Sequence, residues 1–522
     1  MKKVLLTLAV LFVCAGLVFA SGASESKTKE AASATPKKGG TLRVAVGADI
    51  SSWNFTQSNA PEDGLSYGLV FETLFVENEQ GEIQPNLALS ISSDPKALTY
   101  TIKLREGVKF HDGTDFNAES CAFSLELYRT TGRKRASFMG NITSFEVTGP
   151  YEVTIHLSQW DSTIPRTLSR DCSYQISKVA YEKNGADWAA ENPVGTGPFK
   201  FVEGSWQRDV KKSFVKFADY WKGEPYLDGA EVYIYPDSNT AQMAIETGEL
   251  DAYYVLSSEM AKEFEDAGYY VSRGIADSMP LLNYHSVSPE DPFYDVKVRQ
   301  AVSYAIDNKL LQDTIFSGYM SDTNQFCATT SPYYNESVEG YEYNVEKAKQ
   351  LLAEAGYPNG FKTTIACKNE DDPRYLAQAI QEMLKAVNIE AEIIVVEAGD
   401  YGTYICGWNQ GMFIHITSLP TAIINQAKSM FIQGLSGIVL GLSSFIHPDD
   451  LNDAIINASN ALSEDDARAY MKEAQSLMID KYCLYMPLGI GYHMVVVGNN
   501  LHDHNWGAVA MSRADYHLMW KD

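Results

Sequence analysis

At 522 residues the chain is several times longer than a single domain usually runs, so at least two hydrophobic cores are expected. The formal net charge of −25, from 67 acidic against 42 basic side chains, excludes the clustered cationic surface that nucleic-acid phosphates require. The same excess disfavours steering of anionic solutes.

The first expected element is an export signal. Lys2 and Lys3 precede an apolar run from Val4 to Val13, and Val18-Phe19-Ala20 has the layout of a cleavage site, so residues 1–20 read as a signal peptide and the mature chain starts near Ser21. The rival reading anchors a lipid on Cys14, although the bulky Val13 stands where such a motif usually has a small residue. Residues 21–40 are rich in Ser, Ala, Lys and Gly without an apolar period, which describes a flexible leader.

From Thr41 to Val46 apolar and polar residues alternate as in a strand. Val232 to Tyr235 is a second β-rich run, followed by a helix capped by Ser238 or Asn239 and carrying Met243, Ala244 and Leu250. The spacing of Val298, Val302, Ala305, Ile306 and Leu310 predicts an amphipathic helix. Another runs from Lys347 to Ala355 and stops at Gly356, with Pro358 beyond. Pro373 to Val387 reads as a helix, Glu390 to Glu397 as a buried strand, and Ser463 with Asp466 as a variant capping box before a helix from Ala467 to Ile479.

Alternating strand and helix signals predict an α/β architecture, and the absence of a 20- to 50-residue repeat excludes a solenoid. Lys428 is the only Lys, Arg, Asp or Glu from Met412 to Ile446, yet polar residues interrupt this stretch throughout. It is therefore expected to be interior or cleft-lining rather than a membrane span.

Catalytic signatures are missing. There is no GxSxG elbow and no HExxH, and Gly195-Thr196-Gly197 lacks the Gly-Lys-Ser/Thr ending of a phosphate loop. His111-Asp112-Gly113 reads as a turn, and His502-Asp503-His504 as a solvent-facing loop rather than a metal site. No CxxC pair occurs among Cys121, Cys172, Cys327, Cys367, Cys406 and Cys483. No enzyme activity, cofactor or bound metal is expected.

Four blocks carry a resemblance. They are PNLALSISSDPKALTYTIKLREGVKFHDGTDFNAESCAFSLE from Pro85, NPVGTGPFKF with FADYWKGEPYLDGAEVYIYPDSNTAQMAIETGELDAYY between Asn192 and Tyr254, DPFYDVKVRQAVSYAIDNKLL from Asp291, and YNVEKAKQLLAEAGYPNGF from Tyr343. In this order they resemble the extracellular solute-binding proteins, family 5, of bacterial ABC importers for peptides and nickel. The resemblance implies a two-lobed periplasmic-binding-protein fold with a hinge, of the large peptide-binding type, with an extra subdomain in lobe one.

Under that layout lobe one spans 40–285 plus 490–522, with 75–185 as the inserted subdomain, and lobe two spans 286–489. Crossings near Asn283 and Pro487 would form the hinge. Cys121 and Cys172 would share a lobe and could pair, or remain buried thiols. Cleft-lining segments would contain Trp53 with Asn54, Tyr254 after the GELD turn, Asn283 at the crossing, and Trp408.

Peptide-binding members hold the ligand's amino terminus with an aspartate of lobe two. Here Ile414, or Gln410 and Gly411, stand where that acid is expected, and no carboxylate occurs between Asp400 and Asp449. A buried ammonium without a countercharge costs several kcal/mol. Asn409 and Gln410, each with a donor and an acceptor, and an indole face at Trp408 suit an uncharged solute; His415 keeps a metal chelate open. The expected protein is an exported, periplasmic monomer that captures a peptide or similar small solute and delivers it to a membrane permease. The alternatives are an uncharged oligosaccharide or a metal chelate on the same fold and, last, a secreted hydrolase.

Overall fold

The computed structural model describes residues 35–57, 63–78, 81–133, 136–255, 257–418, 423–432, 444–506 and 513–522. The expected signal peptide, Cys14 and the leader up to residue 34 lie outside the described residues.

Twelve of the described strands form one sheet. At one end Thr41–Val46 runs parallel to both Gly229–Ile234 and Ala252–Val255. At the other end Lys362–Lys368 runs parallel to Glu390–Val396 and Met412–Ser418. Each parallel set needs helical crossovers and therefore has the make-up of a separate α/β unit.

Antiparallel strands join the two ends. Tyr270–Tyr284 pairs through its first part with Ile490–Val497 and through its last part with Met412–Ser418 and Tyr485–Pro487. Its register shifts between Arg273 and Ala276 and again between Ala276 and Ser278. Asn283 and Pro487, the expected crossings, thus lie within paired strands, and the irregular backbone comes earlier in the chain.

The cores follow the same division. One apolar cluster gathers residues between Leu42 and Tyr254 together with Val495, Trp506 and Met519. Two more, built on Leu282, Val302 and Ile380 and on Met279, Phe431 and Met478, take residues from 279 to 490. Within the expected insertion, Ala88–Asp94, Thr99–Leu104, Glu152–Leu157 and Ile142–Gly149 form a separate antiparallel sheet, and helix Ala118–Thr131 packs against two of these strands. Its Asn117 cap accepts the Ser120 amide while Ser120 returns the bond.

Most expected elements are present, with local corrections. The helix Ser238–Glu246 is capped by Asp237, whose carboxylate accepts the Thr240 amide at 2.8 Å, rather than by Ser238 or Asn239. The pattern from Val298 to Leu310 is two helices, Val296–Ala305 and Asn308–Thr314, because Asp307 accepts the Leu310 amide and starts a new helix. Strand Glu390–Val396 lies on the edge of the sheet with Glu390, Glu392 and Val395 open to solvent, so it is not the buried strand its composition suggests. Gly356 ends helix Val345–Glu354 with φ +89°, and Ser463 caps Glu464–Ser476 through the Asp466 amide.

Cys121 and Cys172 are both buried and are not joined to each other, which resolves that alternative in favour of buried thiols. His502 and His504 do not converge on a metal: one ring stacks on Trp520 and the other on Trp506. These contacts make the segment partly buried rather than a solvent-facing loop, and among the described residues no cluster of three potential ligands occurs.

Candidate ligand-binding site

Strand pairing places Asn283 opposite Phe413 and Leu281 opposite His415. Helix Ala398–Gly407 ends at Trp408, which lies over the same strand with its ring 5.6 Å from that of Phe413. Asn283, Trp408, Phe413 and His415, closed by Ile405, Met430 and Phe445, line a cavity of ≈ 10 Å³ measured to the centre of a water-sized sphere. That is room for one water molecule or one group of hydroxyl or amide size.

Two polar atoms of this cavity are buried without a hydrogen-bond partner among the described residues, Asn283 Oδ1 and His415 Nε2. Each is held by the far side of its own group. Asn283 Nδ2 donates to the Phe413 carbonyl at 3.1 Å, which fixes the carboxamide orientation. His415 Nδ1 lies 2.9 Å from the Tyr401 hydroxyl, and the tautomer sets which of them donates.

Burial, helped by the positive charge of Lys368, pushes the His415 pKa down to about 4. The imidazole is therefore neutral at pH 7, and its free nitrogen can face an uncharged donor or acceptor.

One carboxylate reaches this segment from elsewhere in the chain, and it is already used. Asp291 Oδ2 accepts the Gly411 amide at 2.8 Å and lies 3.2 Å from His285 Nδ1, while Oδ1 accepts the Phe293 amide at 3.0 Å. Although burial alone would raise its pKa, the bonds from His285, Gly411 and Phe293 hold it below the usual carboxylate value. Asp291 thereby fixes the Trp408–Gly411 turn, with Gly411 at φ +66° and Trp408 Nε1 donating to the Gln410 carbonyl at 2.6 Å. Asn409 and Gln410 point their side chains to solvent from this turn and do not line the cavity.

Three expected site residues are placed elsewhere. Trp53 is 1% exposed, surrounded by Tyr67, Phe71, Phe201, Trp206 and Phe214, so it is a core ring of the first cluster. Asn54 uses its side-chain oxygen to accept from the Thr56 amide and hydroxyl, closing a turn. Tyr254 is buried in strand Ala252–Val255 opposite Val495. The GELD aspartate, Asp251, is likewise structural: it accepts the Arg43 amide at 2.7 Å and pairs with Lys521.

Acid should destabilise the fold through His415 and His111. Burial also lowers His111 to about 4, while its Nε2 lies 2.9 Å from the Gly197 carbonyl. Between pH 6.5 and 4 the unfolded chain takes up protons that the folded rings refuse, so stability is full above pH 6.5 and falls as pH drops through this window, by up to about 3 kcal/mol per histidine. Urea unfolding at pH 7.5 and 4.5 reads the loss, and His111→Asn should remove its share of the pH dependence.

Comparison with known proteins identifies the family. The model of bacterial extracellular solute-binding proteins, family 5 (middle region), matches residues 82–429. The glutathione-binding protein GsiB of Escherichia coli strain K12 is 32% identical over 378 residues, 70% of this chain and 72% of its own. DppA, an ABC transporter-associated periplasmic binding protein from Helicobacter pylori solved with the peptide STSA, superposes with a TM-score of 0.79 at 28% identity over 93% of this chain and 98% of that one. NikA from Brucella suis, solved with Fe(III)-EDTA, shares the fold, with a TM-score of 0.81 at 21% identity over 92% and 100% of the two chains.

The chain belongs to the family 5 extracellular solute-binding proteins. It has the two-lobed fold of the peptide-binding type and is the solute-binding protein of an ABC importer for peptides or similar small solutes. The relatives named are binding proteins rather than enzymes.

Proposed function

We propose that this protein, a periplasmic monomer delivering to a membrane permease, captures a short peptide that it reads without an ion pair at the Trp408 segment. The observation that carries this reading is the pair of unpartnered neutral atoms, Asn283 Oδ1 and His415 Nε2, facing one small cavity beside Trp408 and Phe413. A backbone amide or hydroxyl of the solute would enter between them, and the rings would cover its apolar part. Among the described residues an ammonium would find no free carboxylate there, because Asp291 is committed to Gly411 and His285.

Lobe one would take 40–285 and 490–522, and lobe two 286–489; the apolar clusters support this apart from Met279, Leu281, Leu282, Tyr284 and Ile490, which pack with lobe two, and Tyr319, which packs with lobe one. Closure would desolvate the solute, and release would return it intact, since none of these groups forms a nucleophile–base pair. A metal chelate is the second reading, favoured by the free neutral nitrogen of His415.

Calorimetry with tripeptides, glutathione among them, in free-amine and acetylated forms tests the charge claim. The two forms should bind within about threefold of each other, with little change between 50 and 500 mM salt, because no exposed ion pair is screened. Trp408→Phe, which keeps a ring in the wall, is the milder substitution, since Trp408→Ala would also open a void under a residue that is 3% exposed. A free-amine form binding a hundredfold more tightly would sink the uncharged reading. Binding of Fe(III)-EDTA, lost in His415→Ala, with no binding of any peptide would replace it with the chelate.

A further inference from the structure

A second and larger cavity, ≈ 250 Å³ on the same measure as the one beside Trp408, lies between the insertion and the helix Ile423–Phe431. Trp160, Tyr333, Ile424 and Leu462 wall it, and Leu462 is 73% exposed, so the cavity opens to solvent there. It falls just short of the roughly 300–1,000 Å³ of a drug-sized pocket. One large amino-acid side chain with its backbone groups fills such a space.

The walls are held from both sides. Trp160 stacks on Tyr100 with ring centres 4.8 Å apart and 17° between the planes, and its Nε1 donates to the Ala461 carbonyl at 2.9 Å. Beside it the Ser162 amide donates to the Ser459 carbonyl at 2.8 Å, and Asp161 pairs with Lys428 at 2.9 Å. The indole face is thus fixed in place.

Two polar groups of the lining keep bonding capacity to spare. Asn425 is 3% exposed and donates through Nδ2 to Thr167 Oγ1 at 2.9 Å, while its Oδ1 is buried without a hydrogen-bond partner among the described residues. A buried acceptor left unpaired is costly, so a donor brought by a ligand is stabilising there.

The second group is Arg166, next to Thr167 in the short helix Ile164–Thr167. Its Nη1 donates to Glu77 at 2.9 Å, but that carboxylate also receives Arg170 at 3.1 Å and Arg513 at 3.2 Å. Nε and Nη2 of Arg166 make no hydrogen bond among the described residues, and the side chain is 22% exposed. A planar guanidinium with two free donors is suited to a carboxylate.

We propose that this cavity takes the carboxy-terminal residue of the captured peptide, a large apolar or aromatic residue with a free α-carboxylate. Arg166 receives the carboxylate, Asn425 Oδ1 accepts the N–H of the same residue, and Trp160 with Tyr333 covers its side chain. The assignment rests on capture of a peptide between the lobes and adds the chemistry of the peptide's end. Enclosed in the cavity, this ion pair is screened little by salt, so affinity stays insensitive to ionic strength. A free N-acylated amino acid presents the same carboxylate, N–H and side chain, and the test separates the two sources.

The experiment follows the indole N–H signal of Trp160, assigned by its loss in Trp160→Phe, in two-dimensional NMR of the full mature chain, beside calorimetry of tripeptides. N-acetyl-phenylalanine, a single residue, should shift this signal, and its carboxamide should need about tenfold higher concentration or more. Ala-Ala-Phe should bind about tenfold more tightly than its carboxamide and about fivefold more tightly than the form methylated on its last peptide nitrogen. Arg166→Gln should erase the first difference and Asn425→Leu the second, each leaving the other in place, which loss of a merely structural residue would not do. Glu77 keeps Arg170 and Arg513 in Arg166→Gln. Should either variant fail to fold, the differences between ligand forms on the wild type decide the matter.

A Trp160 signal that N-acetyl-phenylalanine leaves unmoved, or acid, carboxamide and methylated forms bound alike, would overturn the assignment even where peptides are retained. A shifted Trp160 signal with no tripeptide bound would overturn the peptide end and the capture of peptides together, and give the cavity to free N-acylated amino acids.

Discussion

Replacing Arg299 with leucine should cost about 4 kcal/mol or more of folding free energy, the effect of leaving several buried carbonyls without donors. Arg299 is 1% exposed, and its guanidinium is spent on backbone. Nη1 donates to the carbonyls of Phe293 and Tyr294 at 2.6 and 2.9 Å, Nη2 to Tyr482 at 2.7 Å, and Nε to Tyr482 and Cys483 at 3.0 and 3.1 Å. The side chain thus ties the start of helix Val296–Ala305 to the chain just before strand Tyr485–Pro487. Arg299→Lys should lose nearly as much, since an ammonium cannot reach both carbonyl groups as the planar fork does. Urea unfolding reads both variants, and a loss below about 1 kcal/mol would contradict this account of the residue.

Gly195→Ala should be comparably damaging, about 4 kcal/mol or more, for a steric reason. A Cβ at Gly195 would stand 2.0 Å from the Val70 carbonyl oxygen and 2.8 Å from Phe71 Cδ1. The oxygen cannot give way, because it accepts the Gly197 amide at 2.8 Å. Between the glycines, Thr196 Oγ1 donates at 2.8 Å to the buried Glu72, which also receives Tyr220 Oη at 2.9 Å and Trp221 Nε1 at 2.9 Å. Thermal unfolding should show a large fall for Gly195→Ala and a small one for Gly204→Ala, where only the positive φ is at stake and nothing stands within 4 Å.

That network explains why the glycine turn and the aromatic block FADYWKG are read together in the sequence. They close on the same carboxylate, and the short-range pattern carries a long-range contact. The order of the blocks made the architecture legible, and caps such as Ser463 and the stop at Gly356 made the helices legible, because the physics behind both is local.

The candidate site is less legible. Trp408 and Asn283, expected from the family layout, and His415, expected as a possible chelate ligand, share a cavity, while Trp53 and Tyr254, expected from the same layout, are core residues. An aromatic residue after a strand is as well suited to packing as to binding, and composition does not separate the two. Asp291 was invisible as a site residue because its partners, Gly411 and His285, meet it only through the fold. Asp161, the ion-pair partner of Lys428, lies 267 residues earlier in the chain, beyond any periodicity.

Non-catalytic capture of a small solute between two lobes is tested most directly by retention. The protein is mixed with a pool of defined tri- to pentapeptides, separated rapidly from unbound material, and analysed by native and then denaturing mass spectrometry. A few members of the pool should be retained, one per protein chain, and recovered with unchanged mass. Retention of none of them, or recovery of cleaved products that disappears on substituting a single cleft residue, would contradict it.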